Sequence, residues 1–130
     1  MKNALWCSAH TPTEQQVTEL TTEFGASVVL LKDLSPELQE KLNNTPSDAI
    51  DLRVLALELL SLSCKKEIDF LVQPGGSPAF QFTLGAARED YPTAPDVMYA
   101  HSERVSVDQH QEDGSVIKTS VFKHVEFIRV

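Results

Sequence analysis

Cysteine is scarce in this chain of 130 residues, which contains two, Cys7 and Cys64. Two cysteines that lie far apart in the sequence do not build the disulfide framework of a small secreted domain. Each lies in or beside an apolar run. We therefore expect two buried, reduced thiols in a reducing compartment, and no redox role for either.

Long hydrophobic runs are also lacking. The longest strongly apolar stretch, residues 52–62, includes Arg53 and Glu58 and is far too short to span a bilayer. The first ten residues lack the basic start and long apolar segment of a secretory signal. We expect a cytoplasmic protein with no membrane partner.

Basic residues are outnumbered: 11 lysines and arginines stand against 19 aspartates and glutamates, for a net charge of −8. A protein that binds long DNA or RNA normally presents a basic face, so long nucleic acids are not expected partners. A small anionic ligand would have to be held by a few local donors.

The common catalytic and cofactor motifs are missing as well. The sequence has no C-x-x-C, no H-E-x-x-H and no close cluster of acids, so no metal site is expected. It also has no P-loop lysine, no G-x-G-x-x-G and no G-x-S-x-G. We expect no cofactor.

Strands and helices alternate over the first hundred residues. This alternation predicts a Rossmann-like α/β domain, with a mostly parallel sheet and helices on both faces. Thr11 with Pro12 is typical of a helix start and Gly25 of a helix end, and Phe82 and Ala86 are expected to face inward. The predicted strands are 4–9, 28–31, 68–72 and 96–100, and the predicted helices are 13–24, a short one from 35, 50–63 and 79–88.

The last thirty residues have a different pattern. Residues 104–109 and 116–121 alternate valine or isoleucine with polar residues, and Asp113-Gly114 is typical of a tight turn. This pattern predicts a β-hairpin, after which residues 121–130 either continue the second strand or bend away. We expect one domain over 1–130, with an alternating core (1–100) and a hairpin extension (101–130).

Polar segments follow three of the predicted strands: residues 8–11, 73–77 and 101–104. Ligands of open α/β sheets bind beyond the carboxyl ends of the strands, so we expect these segments to converge on one site. The pair Gly75-Gly76 allows a close backbone approach and leads into a helix start, which is an anion-binding arrangement. The alternative is a simple turn.

Single side chains add candidate chemistry, each with a plain structural alternative. His10 is a candidate general acid or base, or otherwise a solvated loop histidine. Arg104 is a candidate phosphate clamp, or otherwise a surface ion-pair partner of Glu103 or Asp108. His124, flanked by apolar residues, is expected to be a structural, hydrogen-bonded histidine.

Several stretches resemble a known family. These are Ser8-Ala9-His10, the strand leading to Gln73 with its glycines and, most clearly, residues 99–105, 112–119 and 121–129, with the pattern D-G-S-V-x-K…F-K-H-V-x-F-x-R. They resemble a small accessory family of type III CRISPR systems, and the likeness covers nearly the whole chain.

The resemblance implies a CARF-like homodimer that acts as a ring nuclease on cyclic tetra-adenylate. It implies a metal-independent reaction, in which a ribose 2′-OH attacks its own phosphorus and leaves linear products with 2′,3′-cyclic phosphate ends. His10 and Arg104 would be catalytic. The ligand-binding residues would be Ser8, Thr11, Gln73, Gly75, Gly76, Ser77 and Ser102.

Two other functions stay open. A sponge would hold cyclic oligoadenylate without cleaving it, which would suit a site with one loop histidine and no evident activating partner. A protein-interaction module would use the acidic surface and the free edge of the C-terminal hairpin.

Overall fold

The computed structural model describes the backbone of residues 1–130 and every side chain except that of Phe122. The chain forms a five-stranded sheet in the order β2-β1-β3-β4-β5, in which the first four strands are parallel and β5 is antiparallel to β4. The predicted Rossmann-like α/β fold is confirmed. The strands are β1 (Lys2–Trp6), β2 (Ala26–Leu30), β3 (Phe70–Gln73), β4 (Asp96–His110) and β5 (Val116–Arg129).

Five helices connect the parallel strands. They are α1 (Glu14–Phe24), α2 (Leu31–Leu34), α3 (Pro36–Asn43), α4 (Ala49–Lys65) and α5 (Pro78–Arg88). The predicted ends at Gly25, which is left-handed, and at Ser35, which caps α3, are confirmed. The predicted cap at Thr11 is wrong, because Thr13 and Gln16 form the capping box of α1. In the described part of the chain, no helix is long and apolar enough to cross a membrane.

The two faces of the sheet carry different cores. Leu5, Leu71 and Val97 alternate with their neighbours to face α4 and α5, in a cluster rich in leucine. On the opposite face, Trp6 and Met98 belong to the cluster that packs against α1. Parallel strands buried on both faces explain the continuous apolar runs in the sequence.

The apolar side of α5 differs from the prediction. Phe80, Leu84 and Ala87 are the buried residues of this helix, whereas Phe82 is 79% exposed. Ala86 is exposed as well. Two apolar stripes at helical spacing run along α5. The domain covers the stripe that contains Phe80, Leu84 and Ala87, and the stripe with Phe82 and Ala86 is left exposed.

The predicted hairpin is confirmed, but it is not a separate extension. Strand β4 continues through residue 100 to His110, and β5 pairs with it from His110↔Val116 to Met98↔Arg129. The register shifts between His101 and Ser102, where Val125 is the extra residue of a β-bulge. Beyond the bulge, Ser102–His110 and Val116–His124 project from the carboxyl edge as two strands, which we call the ribbon.

Candidate functional site

A cavity of about 510 Å³ lies at the carboxyl ends of β1 and β3. The chain crosses from β1 to β2 on one side and from β3 to β4 on the other, so the loops after β1 and β3 diverge at this point. Such switch points are where open α/β sheets bind their ligands. The cavity is lined by Trp6, Cys7, Ser8, Ala9, His10, Thr11, Thr13, Gln16, Gln39, Leu42, Asn43, Thr45, Gln73, Pro74, Gly75, Gly76, Ser77 and Phe80.

The loop after β1 is held in shape by its own hydrogen bonds. The indole N–H of Trp6 donates to the carbonyl oxygen of His10 at 2.7 Å, and the His10 N–H donates to Ser8 Oγ at 3.2 Å. Because Trp6 is 2% exposed, it anchors this loop to the core. His10 itself is exposed and lines the cavity, so its imidazole is available to a ligand.

The loop after β3 brings backbone donors to the opposite wall. Gly76 has φ +116°, a conformation that residues with a Cβ rarely adopt. Ser77 then caps α5 by accepting from the Phe80 N–H at 3.3 Å. Both Ser77 and Thr13, the caps of α5 and α1, line the cavity, so two helix N-termini meet there. Their aligned peptide dipoles favour a negatively charged ligand.

Two buried amide side chains leave polar atoms without partners in the cavity wall. Gln73 is 3% exposed and its Nε2 has no hydrogen-bond partner, and Gln39, at 4%, has an unpartnered Oε1. The Nε2 of Gln39 donates to Asn43 Oδ1 at 3.0 Å, which orients that amide. Buried polar atoms in proteins are nearly always hydrogen-bonded. The Nε2 of Gln73 and the Oε1 of Gln39 are therefore a donor and an acceptor that a ligand in the cavity could engage.

Cys7 is unsuited to act as a nucleophile in this cavity. Burial raises the pKa of its thiol well above the ordinary range, so the thiol stays protonated at neutral pH. Its Sγ lies 3.5 Å from the Leu5 carbonyl oxygen. Cys7 is thus buried and free as expected, whereas the expectation for Cys64 was wrong, because that free thiol is exposed.

Sequence reasoning missed the third wall of the cavity. Gln39 and Asn43, on α3, and Thr45, just after it, line the space beside the two loops. Lys32, on α2, brings its Nζ within 3.5 Å of Thr11 Oγ1 at the rim. The order of the elements could have predicted this wall. Strand β2 is parallel to β1 and β3, so the segment that follows it starts from the edge of the sheet where the cavity lies.

The structure does not bring all the predicted site residues together. Ser8, His10, Thr11, Gln73, Gly75, Gly76 and Ser77 line the cavity, but Ser102 and Arg104 do not. We expected residues 101–104 to be a loop that turns into the site. They instead belong to β4, where Ser102 pairs with His124 and Arg104 with Phe122 in the ribbon. No lysine or arginine is among the described residues that line the cavity.

His124 is a structural histidine, as predicted. Its Nε2 lies 2.7 Å from Glu19 Oε1, and because a carboxylate only accepts, this nitrogen carries the shared hydrogen. The second oxygen of Glu19 accepts the Phe127 N–H at 2.6 Å. The two side chains are 8% and 15% exposed, so this pair fastens the base of the ribbon to α1.

Comparison with known proteins gives one result. Searches of curated proteins and of solved structures find no significant match. The model of the family described as "Uncharacterized protein MJ1673 family" matches residues 2–128. A match over nearly the whole length shows that the chain belongs to the MJ1673 family.

Proposed function

We propose that this protein is a ring nuclease that binds cyclic tetra-adenylate in the switch-point cavity and cleaves it. The observation that supports this most is the meeting of two helix N-termini and a positive-φ glycine at one cavity. These groups bind phosphate through backbone N–H groups and peptide dipoles. They need no basic cluster, which suits an acidic chain.

The unpartnered amides support a nucleobase as the second part of the ligand. Adenine presents an acceptor nitrogen beside an amino donor, the pair that a glutamine amide reads. Gln73 offers a donor and Gln39 an acceptor, both buried in the wall. A ligand that satisfies both atoms forms two hydrogen bonds, each worth about 0.5–1.5 kcal/mol.

The size of the cavity bears on how the ring is held. A volume of about 510 Å³ falls in the usual range of roughly 300–1,000 Å³ for small-molecule sites. A ring of four adenylates is larger than one such cavity encloses, so one chain would hold part of it. The two cavities of a homodimer would then hold equivalent parts of a symmetric ring.

The proposed step needs no nucleophile from the protein. A ribose 2′-oxygen attacks the adjacent phosphorus while the bond from phosphorus to the 5′-oxygen breaks. The 2′-hydroxyl proton is removed and the 5′-oxygen gains one, which leaves a 2′,3′-cyclic phosphate and a 5′-hydroxyl. His10, whose imidazole lines the cavity, is the candidate general acid or base for these proton transfers. The loops would hold the ribose and phosphate in line for attack.

A sponge is the second candidate, and one observation favours it. Among the side chains that the structure describes, none is hydrogen-bonded to the imidazole of His10. A histidine with no orienting partner is a weak general base. A protein of this kind would bind the ring and withhold it from its effectors without breaking it.

The deciding experiment mixes radiolabelled cyclic tetra-adenylate with excess and with catalytic amounts of protein in EDTA and resolves the products over time. Multiple turnover to linear products with cyclic phosphate ends supports the ring nuclease. His10→Ala should slow turnover about 10²-fold, the usual effect of losing an acid–base group. Intact ring recovered from a tight complex establishes the sponge instead.

The matched control is His110→Ala, because His110 is exposed at the far end of the ribbon. It should cleave at the wild-type rate. Equal rates for His10→Ala and wild type would remove His10 from the reaction. No binding of cyclic tetra-adenylate by the wild-type protein would overturn both functions, and it would leave protein interaction as the remaining candidate.

A further inference from the structure

One side of the ribbon carries an aliphatic residue in each of three successive cross-strand pairs. Val105 pairs with Val121, Val107 with Thr119 and Gln109 with Ile117, and cross-strand partners share a face. The four aliphatic side chains of this side are 36–50% exposed, and we call them the valine face: Val105, Val107, Ile117 and Val121.

The opposite side of the ribbon is polar at the same levels. Ser106 pairs with Ser120, and Asp108 with Lys118. Alternation of this kind is typical of a sheet that has one face buried and one in water. In the single chain, however, nothing among the described residues covers the valine face.

The body of the domain carries a second apolar area on the same side of the sheet, beyond the polar pairs Glu103–Lys123 and His101–Glu126. Tyr99 lies on the same side of β4 as Val105, and its hydroxyl donates to the carbonyl oxygen of Gln81 on α5 at 2.9 Å. Beside it, a shallow depression of about 340 Å³ is lined by Phe82, Val97 and Val130 among others. Phe82 is 79% and Val130 66% exposed, and Ile128, the cross-strand partner of Tyr99, is 44% exposed.

The exposed apolar side of the ribbon is typical of a surface that packs against another layer of protein. A two-stranded ribbon by itself is marginally stable in water, because one pair of strands buries little apolar area. Exposed apolar patches on a folded domain usually mark interaction sites. The ribbon is therefore expected to pack against another molecule through its valine face.

Charge favours a second copy of the same chain as that molecule. Residues 102–124 contain four acidic and three basic residues, a net charge of −1, so the remainder of the chain carries −7. Two copies that meet at the ribbon therefore bring together a segment of nearly balanced charge, which adds little electrostatic repulsion.

The charged pair at the base of the valine face is self-complementary. Glu103 and Lys123 lie directly opposite each other across the two strands, on the same side as Val105. A two-fold axis that runs along the ribbon stacks β4 of one copy over β5 of the other. Each Glu103 then faces the partner subunit's Lys123, and each Val105 faces the partner subunit's Val121.

We propose that the valine face, together with the apolar surface around Phe82, Ile128 and Val130, is the interface between two copies of this chain related by that axis. The ribbon alone is nine residues long and two strands wide, about 30 Å by 10 Å. This is about 300 Å² per copy, against roughly 800 Å² in a standard interface. The surface around Phe82 is needed to make up the difference.

The axis has a consequence for the candidate site. Because it runs along the strands, the carboxyl edges of both sheets point the same way, and both cavities open toward the same end of the dimer. Such an arrangement would let one ligand touch both cavities. The interface is inferred from exposed apolar side chains and facing charges, and it does not depend on the proposed function.

Sedimentation velocity on the protein without ligand tests the interface. The wild type should sediment with twice the 14.4 kDa mass of the chain, and Val105→Glu should sediment as a monomer. Ser106→Glu is the matched control, since it adds the same charge one residue away on the polar side, and it should stay dimeric. A monomeric wild type, or a dimeric Val105→Glu, overturns the proposal.

Charge exchange tests the direction of the axis and guards against a variant that misfolds. Glu103→Lys and Lys123→Glu should each weaken self-association, because each places like charges face to face. An equimolar mixture of the two should form a heterodimer, in which every such contact again joins opposite charges. A mixture that stays monomeric while the wild type is dimeric overturns the axis. A wild-type dimer that fails to bind cyclic tetra-adenylate contradicts the proposed function alone.

Discussion

The core of the sheet and the ribbon share strand β4 but are stabilised differently. Val97 and Met98 of β4 are 1% and 0% exposed, with helices on both sides, whereas the ten residues from His101 to His110 are all exposed. The first part gains free energy from buried apolar area, and the second chiefly from backbone hydrogen bonds and its attachment at the base. One strand can therefore be a rigid core element at one end and an interaction surface at the other.

The attachment between the two regions is specific. Glu19 on α1 accepts hydrogen bonds from the His124 side chain and from the backbone of Phe127, on either side of the bulge at Val125. Gln15 adds a hydrogen bond to the carbonyl oxygen of His124 at 3.3 Å. Helix α1 begins at the wall of the cavity and holds the base of the ribbon. It thus positions the ribbon relative to the cavity.

The largest expected effect contrasts a core leucine with a ribbon valine. Leu71 is 0% exposed between two layers, so Leu71→Ala should lower the free energy of unfolding by about 2–5 kcal/mol. Val116→Ala, at a position 49% exposed on the polar side of the ribbon, should change it by less than about 0.5 kcal/mol. Urea unfolding measures both. Equal losses would mean that the ribbon belongs to the same cooperative core.

A smaller loss is expected where the two regions join. Glu19→Ala removes the acceptor for two buried donors, which should cost about 1–3 kcal/mol for each donor left unpaired. Amide exchange in the ribbon should speed up more than exchange in β1 or β3. Glu23→Ala, one turn further along α1 and exposed, should change neither. Unchanged ribbon exchange in Glu19→Ala would show that the ribbon is held by other contacts.

The two adjacent glycines allow a matched comparison inside the candidate site. Gly76→Ala places a Cβ at φ +116°, a strain of about 1–3 kcal/mol, although nothing lies within 4 Å of that atom. Gly75→Ala also meets open space and has no positive φ, so its melting temperature should match that of the wild type. Thermal unfolding and titration with cyclic tetra-adenylate would measure both variants. A Gly76→Ala protein of full stability and full affinity would show that the loop tolerates another conformation.

The smallest expected effect lies at the tip of the ribbon and depends on pH. The side chain and backbone of Ser115 both donate to Asp113, which lowers the pKa of that carboxyl from its ordinary 3.8. With a lowered pKa in the folded state, these contacts stabilise the turn above the ordinary value and are lost as the pH falls through the lowered one. The Ser115 amide resonance should shift in that acidic range, and the melting temperature of Asp113→Ala should match the wild type. A change in melting temperature would show that the tip contributes to global stability.

Sequence reasoning succeeded where one local rule decided the outcome. Gly25 ends α1 in the left-handed conformation, Ser35 caps α3, and the hairpin turns at Asp113-Gly114. The apolar runs predicted a parallel sheet, and the polar segments after β1 and β3 meet at one cavity. These features depend on backbone preferences and on alternation, both of which can be seen in short windows.

Sequence reasoning failed where two local patterns predicted different structures equally well. Helix α5 has two apolar stripes, and only packing selects Leu84 over Phe82 as the buried one. Nothing in residues 100–104 shows that β4 continues without a break, because β5 supplies the hydrogen bonds that extend it. Gln39 lies at the cavity because the chain after β2 folds back along it. No spacing of residues in the sequence indicates this path.

The sequence by itself determined the layers of this protein, because buried strands and helix ends have composition signatures that act over a few residues. It also determined which loops carry the candidate binding groups of the first and third strands. Tertiary structure alone decided that Arg104 lies on the ribbon and Gln39 in the cavity, and that Phe82 and the valine face are left uncovered. The physical reason is that burial is a property of what packs on a residue, and residues far apart in the chain supply that packing.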